Sequence, residues 1–121
     1  MAHIFLVDDD AFVSYTLRKI LQRAGHAVEC FDNGRLALEQ LRLRQPELLI
    51  TDVVMPELGG LELLAQLRSF NGTTKVLVIS AGSTDFAVDF KAVAAQSGAD
   101  GVLMKPFDRG SFLASVSALL G

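Results

Sequence analysis

The sequence of 121 residues has no tryptophan, a single cysteine and no long apolar run. Without tryptophan, indole fluorescence cannot report ligand binding, and Cys30 alone cannot form an internal disulfide, which is typical of a reducing compartment. The apolar runs are too short to span a bilayer and the N-terminus lacks a charged-then-apolar leader, so we expect a cytoplasmic protein without membrane contact. The net charge is −3 and no basic run is present, which argues against direct contact with nucleic acid.

Apart from these scarcities, the composition is that of an ordinary globular domain. Half of the residues are apolar and 21% are charged, which suits a packed core and argues against disorder. The length fits one domain over residues 1–121, and neither a repeat nor a linker interrupts it.

Short apolar segments alternate five times with segments of helical periodicity. The apolar segments carry few polar positions, as do parallel strands that helices cover on both faces. Repeated strand–helix units predict an α/β fold, a doubly wound five-stranded parallel sheet with five helices on its two faces. We expect strands near 3–8, 27–31, 47–52, 75–79 and 101–104, and helices near 11–24, 34–44, 60–69, 85–97 and 109–120.

The residues at the ends of the helical segments support these boundaries. Asp10 precedes the first helix and predicts an N-cap, and Gly25 follows that helix as a stop signal. Asp108 stands in the corresponding position before the last helix. Leu17 and Leu21 lie one turn apart in the first helix and indicate its buried face.

Carboxylates, a hydroxyl and an amine stand where four of the apolar segments end. In sheets of this kind, ligands bind outside the carboxyl ends of the strands, where the strand order reverses. A random scatter of polar residues would not follow strand ends in this way, so the arrangement predicts a site. Its candidate members are Asp8, Asp9 and Asp10 after the first strand, Asp52 after the third, Ser80 after the fourth and Lys105 after the fifth.

This set of groups suits phosphoryl transfer with a divalent cation. Crowded carboxylates repel one another, and a hard cation such as Mg²⁺ (or Mn²⁺) relieves the repulsion while leaving positions for phosphate oxygens. Asp52 can then attack phosphorus as a carboxylate nucleophile. The ammonium of Lys105 and the hydroxyl of Ser80 would stabilise the charge on the transferring group.

Four segments together resemble the receiver domain of two-component response regulators. The resemblance covers essentially the whole chain, and it implies a flavodoxin-like sheet of order 2-1-3-4-5. Each segment is a weak signal alone, but the ordered combination is highly specific. The segments are FLVDD at 5–9, TDVVMP at 51–56, ISA at 79–81 and MKPF at 104–107.

The resemblance implies that Asp52 is the phosphoacceptor. The phosphoryl group would come from a sensor histidine kinase or a histidine phosphotransfer protein. Ser80 would be the hydroxyl that follows the phosphoryl group, and Lys105 the cation paired with it. The domain would be a signalling switch, and it would not be an enzyme beyond catalysing its own phosphorylation and dephosphorylation. Its target would be a downstream protein or a C-terminal output domain, which it would contact through the fourth helix, fifth strand and fifth helix.

The same resemblance implies a set of metal ligands. Asp9 and Asp52 would bind Mg²⁺ directly, the backbone carbonyl of Val54 would be a third ligand, and Asp8 would act mostly through water. The bond between Lys105 and Pro106 resembles a cis peptide of the family, and proline makes a cis bond affordable, at about 0.5–1 kcal/mol.

Several positions depart from the family pattern. Val102 occupies the position where many receivers carry a tyrosine or phenylalanine that switches rotamer, so the signal must pass on by another route. Gly59 stands where most relatives have aspartate. Val54 and Gly82 flank the expected phosphoryl site, and an apolar Val54 offers no group to position water, so we expect slow self-dephosphorylation.

The stretch between Ser80 and Lys105 is a few residues longer than is typical of the family. Phe86 and Phe90 form one helical stripe within it, with a second apolar stripe beside them. One stripe can face the sheet, and the other is either exposed for a partner or buried under the longer loop.

Two other classes of protein share parts of this pattern. Phosphatases of the haloacid dehalogenase type carry Asp-x-Asp after the first strand, which Asp8 to Asp10 formally fit. Asp52 would then have no task, and the chain lacks the length for a cap domain. A phosphorylation-independent interaction module on the same fold is the second alternative. Such a module has no need of charged side chains buried at the edge of the sheet.

Overall fold

A computed structural model of the chain describes residues 1–55, 57–81 and 98–121. Helices and strands alternate through these ranges as the sequence predicts. The predicted helix at 85–97 lies outside the described residues, as do the expectations for Gly82, Phe86 and Phe90. The elements are β1 (His3–Val7), α1 (Ala11–Arg23), β2 (Ala27–Phe31), α2 (Gly34–Leu43), β3 (Leu48–Asp52), α3 (Gly60–Arg68), β4 (Lys75–Ala81), β5 (Gly101–Lys105) and α4 (Arg109–Leu120).

The five strands form one parallel sheet in the order β2-β1-β3-β4-β5, which confirms the predicted fold. The order reverses between β1 and β3, because β2 lies on the far side of β1 and β4 on the far side of β3. The register pairs Val7 with Thr51 across this junction and Asp52 with Ile79 on the next strand. The carboxyl ends of the two central strands therefore lie side by side.

Two apolar clusters fill the space on the two faces of the sheet. Successive residues of a buried strand point to opposite faces, so β1 contributes Ile4 and Leu6 to one cluster and Phe5 and Val7 to the other. The α1/α4 cluster contains Ala2, Ile4, Leu6, Leu17, Leu21, Leu48, Ile50, Leu77, Ile79, Phe112 and Val116. The α2/α3 cluster contains Phe5, Val7, Ala37, Leu41, Leu49, Met55, Leu63, Leu64, Leu67, Val76 and Val78.

The predicted helix ends are confirmed. The carboxylate of Asp10 accepts hydrogen bonds from the amides of Phe12 and Val13 at 2.9 and 3.2 Å, which caps α1. Gly25 follows that helix with a φ of 94°, a conformation that glycine adopts without strain. Asp108 caps α4 by accepting the amide of Ser111 at 2.7 Å, a bond that lowers the pKa of the carboxyl.

Strand β2 is an exception to the prediction that the strands carry few polar residues and are covered by helices on both faces. Its side chains Glu29 and Cys30 are exposed because β2 lies at the edge of the sheet and pairs only with β1. Glu29 forms a 2.6 Å ion pair with Arg44 there. Within the described ranges, no helix has the length and apolar character needed to cross a membrane.

Candidate functional site

Three carboxylates meet where the strand order reverses. Asp8 and Asp9 follow the end of β1, and Asp52 is the last residue of β3. One carboxylate oxygen from each of the three lies within 4.8 Å of the others. This donor set of hard oxygen ligands fits a single divalent cation, as the sequence predicts.

Asp8 and Asp9 have very different surroundings although they are neighbours. Asp8 is only 3% exposed, its amide donates to the carbonyl of Phe31 at 3.1 Å, and its carboxylate accepts the amide of Asp10 at 2.9 Å. Asp9 is exposed. Asp8 is therefore held in place by the backbone, whereas Asp9 is open to solvent and to a ligand.

Lys105 brings the counter-charge from β5. Its Nζ lies 3.1 Å from Oδ2 of Asp52 and 3.9 Å from Oδ2 of Asp8. The peptide bond between Lys105 and Pro106 is cis, as the resemblance implies. The ammonium thus lies against the two carboxylates that belong to neighbouring strands.

The electrostatics of the cluster raise two pKa values. Burial raises the pKa of Asp8, and the charges of Asp52 and Asp9 raise it further, against the lowering effects of the Asp10 amide and of Lys105. Burial alone would lower the pKa of Lys105, but its hydrogen bond to Asp52 and the nearby acids raise it on balance. The raised pKa of Lys105 favours its cationic form, and the raised pKa of Asp8 marks a carboxylate that a further positive charge would stabilise.

The loop between β3 and α3 lies beside Asp52. The amide of Val54 donates to Oδ1 of Asp52 at 3.4 Å, and the Val54 side chain is 75% exposed. Gly60, which begins α3, packs so closely on the Asp52 backbone that a Cβ there would lie 2.9 Å from the carbonyl carbon. The start of α3 and the amide of Val54 therefore lie directly against Asp52.

Ser80 lies in β4, one residue beyond the partner of Asp52 in the strand register. It is 1% exposed and pairs with Met104 of β5, the residue before Lys105. The predicted hydroxyl therefore stands at the same edge of the sheet as the acids. Strand β4 runs two residues further than predicted because Ser80 and Ala81 both find partners on β5.

An apolar groove adjoins Lys105 between α1 and the segment after β5. The ring of Phe107 stacks on Phe112 with the centroids 5.7 Å apart, while Phe12 on the opposite wall is 78% exposed. The groove has a volume of about 310 Å³ and is lined by Phe12, Val13, Thr16, Leu17, Lys105, Pro106 and Phe107. No local sequence signal predicts this groove, because its walls come from distant parts of the chain.

Three further features are not predictable from the sequence. Glu57 has a φ of 68°, which is uncommon for a residue with a side chain. Gly34 at the start of α2 packs against the backbone of Leu58. Arg68 at the end of α3 donates to the carbonyls of Thr74 and Gly98 and to the carboxylate of Asp100.

Val102 occupies the position on β5 where many receivers carry a switching aromatic ring. Its partly buried side chain packs against the α2/α3 cluster. The neighbouring Met104 is 40% exposed on the same strand.

Comparison with known proteins places this chain in a family. A profile for the response regulator receiver domain matches residues 4–117. The response regulator MprA of Mycobacterium leprae is 39% identical over 117 residues, which cover 97% of this chain and 50% of MprA. The chain therefore spans about half the length of this curated relative.

Two solved structures are similar over nearly their whole length. The Francisella response regulator 1452 receiver domain superposes with a TM-score of 0.89 at 26% identity, covering 99% of this chain and 97% of that one. The Vibrio cholerae chemotaxis protein CheY4 has a TM-score of 0.86 at 30% identity, covering 98% of both chains.

The strand order and the acidic edge define a flavodoxin-like α/β domain with a polar site at the carboxyl ends of its strands. The chain belongs to the response regulator receiver domain family of two-component signalling.

Proposed function

We propose that this domain is a phosphorylation-activated switch in which Asp52 accepts a phosphoryl group from a histidine kinase or a histidine phosphotransfer protein. The observation that carries the proposal is the 3.1 Å contact between Nζ of Lys105 and Oδ2 of Asp52, beside two further carboxylates. A nucleophile already paired with a fixed cation is pre-arranged for a group that brings negative charge.

In the proposed step, a carboxylate oxygen of Asp52 forms a bond to phosphorus. The bond between phosphorus and the donor imidazole nitrogen breaks, and the imidazole leaves with the bonding electron pair. Lys105 then faces the new negative charge, and Ser80 donates its hydroxyl to a phosphoryl oxygen. We expect no catalysis beyond this phosphorylation and the later hydrolysis of the acyl phosphate.

The proposed metal ligands are Asp9, Asp52 and the backbone carbonyl of Val54, with Asp8 acting mostly through water. Bound Mg²⁺ (or Mn²⁺) would neutralise charge on the acids and on phosphate oxygens. The surroundings of the two neighbouring acids support this division, because Asp9 is exposed whereas Asp8 is buried and already accepts a backbone amide.

The phosphoryl group is proposed to act on the face formed by the predicted helix at 85–97, β5 and α4. Ser80 lies on β4 directly beside β5, so a change in its hydrogen bonds reaches that face first. A downstream protein or an output domain would recognise the change. Val54 supports a long-lived phosphoryl group, because its exposed side chain has no polar atom to position water.

The arrangement supports this function over the two alternatives. A phosphatase with an Asp-x-Asp pair would use Asp10, but that carboxylate caps α1. An interaction module without phosphoryl chemistry has no use for a buried acid with a raised pKa such as Asp8.

Labelling with radioactive acetyl phosphate in the presence of Mg²⁺ tests the proposal. We expect one labelled site in the wild type and none in Asp52→Asn, because the amide is a poor nucleophile. The matched control is Asp10→Asn, which removes a neighbouring charge but keeps a capping side chain and should still be labelled. Labelling of Asp52→Asn at another residue would disprove the assignment of Asp52.

A further inference from the structure

The first turn of α2 abuts the loop that follows Asp52 backbone to backbone. A Cβ built on Gly34 would lie closer than 3.0 Å to the carbonyl oxygen of Leu58 and 3.1 Å from its carbonyl carbon. Real Cβ atoms essentially never approach another atom closer than 3.0 Å. The nearest obstructing atom belongs to the backbone, and the Cβ of Leu58 at 3.1 Å is fixed to that backbone, so no side-chain rotation could relieve a clash at this position.

Helix α2 is the fixed partner in this contact. Ala37 and Leu41 on its inner face are fully buried in the α2/α3 cluster, and Asn33 caps its first turn by accepting the amide of Leu36 at 2.9 Å. Leu58 packs against the same cluster but is only partly buried, so a side chain at Gly34 would displace the loop more readily than the helix.

The displaced residue is coupled to the acidic site through a short stretch of backbone. Leu58 lies two residues before Gly60, which packs directly on the carbonyl of Asp52 and donates its amide to the carbonyl of Val53 at 2.8 Å. The amide of Val54 in turn contacts the Asp52 carboxylate. A shift at Leu58 thus reaches both the nucleophile and the carbonyl that would bind the cation.

We propose that Gly34 is a positioning residue for the acidic site: the lack of a side chain lets α2 hold the β3–α3 loop where Asp52 and the Val54 carbonyl can share one cation. The inference rests on the proposed function. Gly34 touches neither the metal nor the phosphoryl group, and it acts only through Leu58.

The test compares Gly34→Ala with Gly72→Ala, a substitution in open space with nothing within 4 Å of the added Cβ. Mg²⁺ affinity is measured by NMR titration, and the rate of phosphorylation is measured with labelled acetyl phosphate. Urea unfolding first establishes a temperature at which each variant is folded, and both measurements are made at that temperature. We expect Gly34→Ala to lose about 10- to 100-fold in Mg²⁺ affinity, as supporting contacts around metal ligands do, and to label more slowly. Gly72→Ala should match the wild type.

A double variant separates positioning from loss of packing. Adding Leu58→Ala to Gly34→Ala removes a side chain but leaves the obstructing carbonyl, so Mg²⁺ affinity should not recover. Recovery in the double variant would overturn the inference, because the obstruction would then lie in side-chain packing. Wild-type Mg²⁺ affinity and labelling in folded Gly34→Ala would overturn it as well.

If Gly34→Ala does not fold, Asn33→Ala loosens the same first turn by removing the side chain that accepts the amide of Leu36. Weaker Mg²⁺ binding in Asn33→Ala supports the inference, and unchanged binding overturns it. Failure of the wild type to be labelled refutes the proposed function itself. A labelled wild type with equally labelled Gly34 and Asn33 variants refutes only the role of Gly34.

Discussion

Asp8 is an acid whose burial opposes its own ionisation. It is 3% exposed and stands beside two other carboxylates, and both effects raise its pKa above the ordinary value of 3.8. Between the two values the folded chain binds more protons than the unfolded chain, so stability falls as the pH rises through that window. The penalty is therefore larger at neutral pH than in acid.

Asp8→Asn should therefore stabilise the metal-free domain at pH 7, by about 0.5–2 kcal/mol, because the amide can be buried without charge. Urea unfolding in a chelator measures the difference, which should vanish below the ordinary pKa of aspartate. Added Mg²⁺ should stabilise the wild type more than the variant. If the variant is less stable than the wild type at pH 7, the ionised carboxylate of Asp8 does not destabilise the metal-free domain.

At the level of single residues, the sequence identified which groups meet but not how deeply each is buried. Asp8, Asp52 and Lys105 were predictable as neighbours because the carboxyl ends of parallel strands share one edge of the sheet. The contrast between buried Asp8 and exposed Asp9 depends on what packs around each. That information lies in residues such as Phe31, which are far along the chain.

At the level of elements, Arg68 ties the end of α3 to the starts of β4 and β5. Its guanidinium donates to the carbonyl of Thr74 at 2.7 Å, to that of Gly98 at 3.1 Å and to Asp100 at 2.8 Å. The amide of Val76 donates to the same Asp100 carboxylate at 2.9 Å. One side chain thus satisfies acceptors on several segments at the end of the sheet opposite the acidic site.

Arg68→Ala should lower the free energy of unfolding by about 1–3 kcal/mol, because it leaves partly buried acceptors without their donor. The control is Arg44→Ala, which breaks an ion pair of 2.6 Å whose side chains are 52% and 46% exposed. An exposed pair should change stability by about 0–1 kcal/mol. Urea denaturation of both variants gives the comparison, and equal losses would contradict the role assigned to burial.

Element types and approximate boundaries were predictable because apolar periodicity and capping residues are local signals. The length of β4 was not, because Ser80 and Ala81 extend the strand only through pairing with Met104 and Lys105, about 24 residues later. The close approaches of Gly34 and Gly60 were also hidden. A glycine in the sequence does not reveal which backbone comes near it.

For the whole molecule, addition of beryllofluoride and Mg²⁺ should report how a phosphoryl-like group changes the domain. We expect the largest NMR shifts at Asp9, Asp52, Ser80 and Lys105, followed by shifts along β5 and α4, because Ser80 borders β5. Asp52→Asn should show no such response to beryllofluoride. Shifts that stop at the acids and leave β5 and α4 unchanged would contradict the proposed output face.

Successive side chains of β3 enter opposite core clusters, so the number of residues in β3 determines where the carboxylate of Asp52 lies. Leu48 and Ile50 enter one cluster and Leu49 the other, so a single-residue deletion in this strand would turn every later side chain to the opposite face. A two-residue deletion would restore the facing but withdraw the carboxylate by about 6.6 Å, far beyond its 3.1 Å contact with Lys105. Strand length is therefore as tightly constrained as the identity of the aspartate itself.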